Sequence, residues 1–362
     1  MSLSIDLRMI EHSGIGTYLK NMVPLVIQAF PNMKFNLLGD SDCISKYDWC
    51  SSPNIRMIHC QSPIYSITEQ VELITKIPSD NKLFWSPHFN IPVFYRGKLV
   101  VTIHDVFHLA MPQYIKGIHK KAYVKAMFWA VRKKADAIIC DSNFTQNELM
   151  RYAGVEQSKT NVVYLGVDPI WFSIKKEQSV HYRKYLLYVG NVKPYKNLVN
   201  LLLAFSKIKD IIPEYDIIIV GKKDGFITGD TEIEKLANQL EERVIFTGYV
   251  NDAILYQYYA NAEALVFPSL YEGFGLPPLE AMACRCPVIV SDAASLPEVC
   301  GDAALYFNPY SYDDIAAKTL MLLRDPNLKD TLKSKGVIQA RKFTWEKCVS
   351  ETSSIFDKVI EA

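Results

Sequence analysis

Short runs of β-branched and aliphatic residues alternate with longer stretches of helical period along this chain, and the alternation occurs twice. The first half predicts strands at SIDLRMI, KFNLLGD, IRMIHC, LFWSP, LVVTIHD, ADAIICDS and NVVYLGVD, with helices at GTYLKNMVPLVIQAF and ITEQVELITKI. The second half predicts strands at YLLYVG, YDIIIVGKK, VIFTGYV, EALVFPS and PVIVSD, with helices at NLLLAFSKIKD, TEIEKLANQLEE and AILYQYYANA. Strands that are apolar throughout, separated by helices, imply parallel sheets covered on both faces. The stretch 168–185 has neither period and reads as a connector. The predicted organisation is a Rossmann-like domain over 1–170, a linker over 171–184 and a second Rossmann-like domain over 185–345. A last helix over 346–362 follows all five predicted C-terminal strands and is expected to pack back on the first domain. The fold class is α/β, two Rossmann-like domains with parallel sheets facing each other across a cleft.

In such sheets ligands bind where strand carboxyl ends lead into helix N-termini, so the loops after strands carry the chemistry. The loop after EALVFPS reads LYEGFGLPPLE. Its Gly-Phe-Gly segment lets backbone N–H groups approach a ligand, and a helix is expected to start near Pro277, where a missing N–H costs nothing. Glu272 precedes the turn and Glu280 lies one turn into the helix. A carboxylate accepts only, so vicinal hydroxyls of a ribose or hexose satisfy it; an exposed first-turn acid is the plain alternative for Glu280. The loop after YLLYVG reads NVKPYKNL, with Lys193 and Lys196 flanking a proline and Asn197 placed to cap the next helix. Two ammonium groups at a helix N-terminus suit a diphosphate, against the alternative of two solvated lysines. Gly14 and Gly16, in EHSGIGTYLKN, fit a tight strand-to-helix turn whose N–H groups meet a phosphate. The third glycine and the ribose acid of a dinucleotide fingerprint are missing. His104 and Asp105 end the strand LVVTIHD, where a histidine can hydrogen-bond a sugar hydroxyl, donate to a phosphate or simply pack in the core.

Other patterns carry less. Asp40-Ser41-Asp42 spells D-x-D but sits far from the phosphate loops and reads as a solvated turn, and no P-loop is present. His104 and His108 lack a third metal ligand nearby. Residues 114–134 hold seven Lys/Arg and no acid, with Ile118, Val124, Met127, Phe128 and Val131 at helical spacing and Lys121, Lys125 and Arg132 on another face. That helix suits an anionic membrane surface or, equally, the solvated outside of a Rossmann layer.

Composition narrows the setting. The 362 residues suffice for two domains, and a net charge of +1 shows no bias toward nucleic acid. No apolar run approaches a membrane span, the N-terminal stretch turns polar too soon for a secretory signal, and eight scattered cysteines read as buried thiols of a reducing compartment. The expected location is cytoplasmic, with peripheral contact at the inner face of a membrane as an option.

The segments EGFGLPPLEAMACRCPVIVSD, GNVKPYKNL and SLPEVCGDAALYFNP, with DLRMIEHSGIGTYLKNM at the start and FTWEKCVSET near the end, resemble the retaining GT-B glycosyltransferases of family GT4. The resemblance covers nearly the whole chain. It implies a GT-B fold and hexose transfer from a nucleotide-sugar to a glycan or lipid-linked acceptor, without a cofactor or metal. The start of the chain looks most like bacterial mannosyl- and hexosyltransferases of O-antigen assembly, which makes GDP-mannose the first expectation and a UDP-hexose the second. It also implies roles: Glu280 on the ribose, and Glu272 with the N–H groups of Phe274, Gly275 and Leu276 on the hexose. Lys196 with a second cation would hold the diphosphate, the Gly14–Gly16 turn would approach it, Tyr249 and Val250 would border the base, and His104 would touch sugar or acceptor. Asn191 stands where many relatives carry arginine, with Lys193 as the nearest cation, so a bidentate guanidinium is replaced by a point charge. A binding protein that has lost transfer chemistry and a sugar-nucleotide epimerase are the two alternatives.

Overall fold

The computed structural model describes residues 2–177, 180–221 and 231–362. They divide into two compact units, one formed by Met1–Gly166 with Thr344–Ala362 and the other by Val167–Phe343. The predicted positions Lys222 and Lys223, and residues 178 and 179 of the predicted linker, lie outside the described residues.

In the first unit β1 (Ser2–Asp6) leads through Gly14 into α1 (Ile15–Ala29), followed by β2 (Lys34–Gly39), α2 (Ser41–Ile44), β3 (Ile55–His59) and α3 (Ile67–Lys76). Then come β4 (Asn81–Ser86), β5 (Leu99–Ile103), α4 (Phe107–Ala110), α5 (Ile118–Lys134), β6 (Ala137–Cys140), α6 (Asn143–Ala153) and β7 (Thr160–Val162). The second unit opens with α7 (Ile170–Ser173), β8 (Lys184–Val189), α8 (Leu198–Ile208), β9 (Tyr215–Val220), α9 (Thr231–Gln239), β10 (Val244–Gly248) and α10 (Asp252–Asn261). It continues with β11 (Ala264–Phe267), α11 (Leu276–Ala283), β12 (Val288–Ser291), α12 (Leu296–Cys300), β13 (Leu305–Phe307), α13 (Tyr312–Arg324) and α14 (Pro326–Ala340). The chain ends in α15 (Trp345–Glu361).

Both sheets are parallel throughout, in the orders β3-β2-β1-β4-β5-β6-β7 and β10-β9-β8-β11-β12-β13. Each order reverses once, between β1 and β4 and between β8 and β11. At such a switch point the loops leave in opposite directions and open a crevice at the carboxyl edge. The twelve predicted strands all form. A sixth strand of the second unit, β13, was missed in the sequence because three residues, LYF, are too few to show a period.

The tight turn predicted at Gly14–Gly16 forms as well. Gly14 has φ 70°, and a Cβ on Gly16 would sit 2.4 Å from the Ile10 carbonyl oxygen. Its donors are another matter: the Gly16 N–H bonds the His12 carbonyl at 2.7 Å and the Ile15 N–H bonds that of Ser13 at 2.8 Å. Two N–H groups expected to meet a phosphate are thus spent inside the turn.

Two further expectations change. In the aperiodic stretch 168–185, Trp171, His181 and Arg183 are packed on the second unit. Trp171 is buried against Tyr256 and Tyr259, with ring centroids 4.6 and 5.2 Å away. His181 and Arg183 pair with the buried Asp216 of β9 at 2.7 and 3.0 Å. In α5, Val124, Met127, Phe128 and Val131 are core residues of the first unit, so most of the apolar face read as membrane-directed is used internally. Ile118 alone of that set is exposed.

The last helix is capped by Thr344, whose Oγ1 accepts the Lys347 N–H at 3.2 Å. It buries Trp345, Val349, Ile355, Phe356 and Val359 within the first unit. Phe356 meets Trp85 of β4 edge-on at 5.3 Å, and Trp345 lies 6.2 Å from Tyr18 of α1. A fully buried ring replaced by a methyl group costs about 3–5 kcal/mol. Phe356→Ala should therefore lower the denaturation midpoint of the first unit, read by urea titration, and an unchanged curve would show that α15 does not hold that unit together.

Candidate active site

The second unit brings Lys196 and Glu272 together at its switch point. Lys196 lies in the loop after β8 and Glu272 in the loop after β11, and they form an ion pair of 2.5 Å with each side chain only 15% exposed. The Lys196 ammonium also stands over the rings of Tyr195 and Phe267, at 5.4 and 5.7 Å. Backbone and side-chain bonds tie these loops together. The Leu270 N–H donates to the Tyr195 carbonyl at 2.8 Å. Asn197 donates its amide to the carbonyls of Pro268 and Pro309 at 3.0 and 2.7 Å. This corrects the expected cap: Asn197 sits in the left-handed region at φ 62° and makes no side-chain bond to α8, because its amide is spent joining three loops.

The Gly-Phe-Gly turn is fixed by its own geometry. Gly275 has φ 127°, and a Cβ there would come within 2.9 Å of Leu296. The Phe274 ring is buried and packs edge-on against Phe343 at 5.6 Å. Ser295, which the sequence reading did not single out, donates to the carbonyls of Glu272 and Phe274 at 2.9 and 2.5 Å. Only its place just before the Leu-Pro start of α12 hinted at a role.

Glu280 lies one turn into α11, as predicted, and accepts from the Tyr259 hydroxyl at 3.0 Å. Burial raises its pKa to about 7, and the bond from Tyr259 offsets only part of that. Tyr259 carried no signal in sequence, because it looks like any apolar position of α10. The remaining predicted residues of this unit are less enclosed. Lys193 and Tyr249 are exposed, Tyr249 to 73%. Asn191 and Val250 are half-buried, and the Asn191 carbonyl accepts from the Tyr188 hydroxyl at 3.3 Å.

In the first unit His104 ends β5 as expected, and its ring is held at both ends. Nδ1 lies 2.7 Å from the Asp141 carboxylate and Nε2 lies 3.0 Å from the Pro87 carbonyl. A carbonyl only accepts, so Nε2 carries a proton. Burial alone would lower the pKa of this histidine, but Asp141 beside it raises it overall, while burial raises the pKa of Asp141 in turn. Asp141, not foreseen in the sequence, is itself almost fully buried. His108 is half-buried, with its pKa lowered by burial.

Comparison with known proteins bears on this arrangement. Residues 169–337 match the family described as "Glycosyl transferases group 1", and residues 79–170 match "Glycosyltransferase Family 4". The chain is 30% identical to the O-antigen chain mannosyltransferase B of Escherichia coli over 288 residues, 76% of this chain and 74% of that one. The chain belongs to glycosyltransferase family 4. The enzyme is also 31% identical to the O-antigen chain mannosyltransferase RfbU of Salmonella typhimurium over 248 residues, 68% of this chain and 66% of that one. Among solved structures, sucrose-phosphate synthase of Thermosynechococcus elongatus superposes with a TM-score of 0.79 at 20% identity, covering 100% of the enzyme and 99% of that chain. WaaG, a glycosyltransferase involved in lipopolysaccharide biosynthesis, gives 0.76 at 15% identity, covering 98% and 99%. Both share the GT-B fold with the enzyme.

The raised pKa of Glu280 has a thermodynamic consequence. The folded enzyme holds this proton up to about pH 7, whereas an unfolded glutamate releases it near 4.5. Stability from this group is therefore present below pH 4.5 and lost as pH rises to 7, by up to about 3 kcal/mol. Glu280→Gln should raise the melting temperature relative to wild type at pH 8 and leave it nearly equal at pH 5. Equal temperatures at both pH values would place the glutamate in a wetter site than its burial indicates.

Proposed function

We propose that the enzyme transfers a hexose, with mannose first, from a nucleotide-sugar to a glycan or lipid-linked acceptor, with retention at the anomeric carbon and without a metal. Family membership supplies glycosyl transfer; the observation that carries the finer reading is the Lys196–Glu272 pair at the switch point of the second unit. The names of the relatives from Escherichia coli and Salmonella typhimurium favour mannose and therefore GDP-mannose, with a UDP-hexose as the competing donor.

In this reading Glu280, once ionised, accepts the two ribose hydroxyls. Its partner Tyr259 holds one oxygen and leaves the other for the ligand. Glu272 and the backbone of Phe274, Gly275 and Leu276 hold the hexose. Lys196 takes the diphosphate, with Lys193 as the second cation and Asn191 in place of a guanidinium. Tyr249 and Val250 flank the base, the Gly14–Gly16 turn approaches the diphosphate with open space at Gly14, and His104 orients sugar or acceptor. Breaking the anomeric bond leaves a sugar with oxocarbenium character and a nucleoside diphosphate. Lys196 and the start of α8 stabilise that leaving group electrostatically. The acceptor hydroxyl attacks from the face the leaving group departs from, and the departing phosphate oxygen takes its proton, so no side chain acts as base.

The test is a thermal-shift titration with GDP, UDP, ADP and their sugar conjugates, with and without EDTA. A rise for one nucleotide that survives EDTA is expected. Glu280→Ala should lose most of that rise, and Lys196→Ala should cut turnover by about 10²-fold, the scale of losing one preorganised charge contact. Glu272→Gln frees Lys196 and should tighten nucleoside diphosphate binding while slowing transfer. No shift from any nucleotide would sink the reading.

Contact with an anionic membrane through residues 114–134 belongs to the same proposal. The outward side of α5 carries Ile118 and Trp129, 77% and 57% exposed, among exposed Lys125, Arg132 and Lys133. Trp with Lys/Arg is the composition of an interfacial anchor. No helix among the described residues is long and apolar enough to cross a membrane. The enzyme should co-sediment with anionic liposomes at low salt, and reversal of Lys125 and Lys133 to Glu should release it. Equal partition onto neutral liposomes would count against this surface.

A further inference from the structure

The loops after β3 and β4 meet at Tyr65, His88 and Phe89 in the first unit, beside the switch point between β1 and β4. Tyr65 has φ 69°, a left-handed backbone that bulky residues avoid and that tends to persist where function requires it. Tyr65 is nevertheless 47% exposed, so packing alone does not explain the conformation.

A buried carboxylate holds the residue there. Glu69 is fully buried, and its Oε1 accepts the Tyr65 N–H at 3.0 Å and the Asn90 amide at 2.7 Å. Its Oε2 accepts from Arg8 Nη1 at 2.6 Å, and Arg8 in turn forks onto Asp6 at 2.9 and 2.7 Å. Behind the ring, Phe89 lies nearly parallel at 6.1 Å and Tyr123 edge-on at 6.0 Å. The Tyr65 hydroxyl lies 3.3 Å from His88 Nε2. Since His88 Nδ1 accepts the Asn90 N–H at 3.2 Å, its proton sits on Nε2, and burial keeps the ring neutral.

The result is a rigid aromatic face with a polar rim. A pyranose has the matching character, with C–H groups on its face and hydroxyls at its edge. The charged groups that act on Tyr65 are Glu69, Asp105 and Arg8, two negative and one positive, and Arg8 is committed to Asp6 and Glu69. That balance disfavours an anionic ligand. We propose that Tyr65 is the platform on which an uncharged terminal sugar of the acceptor stacks, held in place through Glu69 and backed by His88 and Phe89. The proposal rests on the glycosyltransfer reading above and deepens its acceptor side.

Saturation-transfer NMR on the full chain with methyl α-mannopyranoside tests it, alongside the nucleotide thermal shift on the same samples. Wild type and Tyr65→Phe should saturate the ring C–H protons of the sugar. Tyr65→Gly, which suits the left-handed backbone, should fold, keep the wild-type nucleotide shift and lose the sugar signal at least fivefold. Tyr65→Leu, which keeps apolar bulk without a ring face, should lose it too. A full sugar signal in Tyr65→Gly, or none in wild type, overturns the platform. So does transfer confined to the alkyl chain of octyl α-mannopyranoside, which would mean a lipid groove. Failure of the nucleotide shift strikes the donor reading instead, so the two failures are distinguishable.

Discussion

Lys196 and Glu272 stand 76 residues apart in the chain and meet at 2.5 Å because β8 and β11 are neighbours in a sheet whose order reverses between them. The rest of the donor-side architecture follows from that adjacency. With parallel strands, both loops leave from the same edge, and Asn197 and Leu270 join them by hydrogen bonds that local sequence cannot make, while Ser295, after β12, braces the loop after β11. A lysine and a glutamate so enclosed each satisfy the other. In the proposed donor complex the ammonium would meet the diphosphate and the carboxylate would accept from hexose hydroxyls. The pair therefore keeps both side chains poised at little cost in unpaired buried charge.

Buried carboxylates recur at the edges of both sheets, and their surroundings assign them different work. Glu280 has one hydroxyl partner and holds its proton to about pH 7. Asp141 has the ring of His104 at 2.7 Å. Glu69 has Arg8, an amide and a backbone N–H and serves as a clamp. Acids of one type thus become a titrating acceptor, a histidine partner and a brace according to the donors that folding brings to them.

Much of the fold was legible in the chain. Twelve strands announced themselves because a strand covered on both faces must be apolar along its whole length, and Gly14, Gly16 and Gly275 marked turns that no other residue enters at comparable cost. What escaped was short or aperiodic. The three residues of β13 carry no period, and Trp171, His181 and Arg183 anchor a stretch that reads as a connector. The apolar positions of α5 were visible, yet periodicity cannot say whether an apolar face meets a core or a membrane; the sheet beneath Val124, Met127, Phe128 and Val131 decides that.

By itself, then, the sequence determined the two parallel sheets, the strand-end loops on which the proposed site is built and, through its motifs, the family. These are properties of local pattern, set by side-chain period and by backbone positions that only certain residues tolerate. The tertiary structure alone decided the partners: Lys196 with Glu272, Glu280 with Tyr259, His104 with Asp141, and Arg8 with Glu69 behind a strained Tyr65. Hydrogen bonds and charge pairs act over a few ångströms, and only strand order brings residues tens of positions apart within that reach.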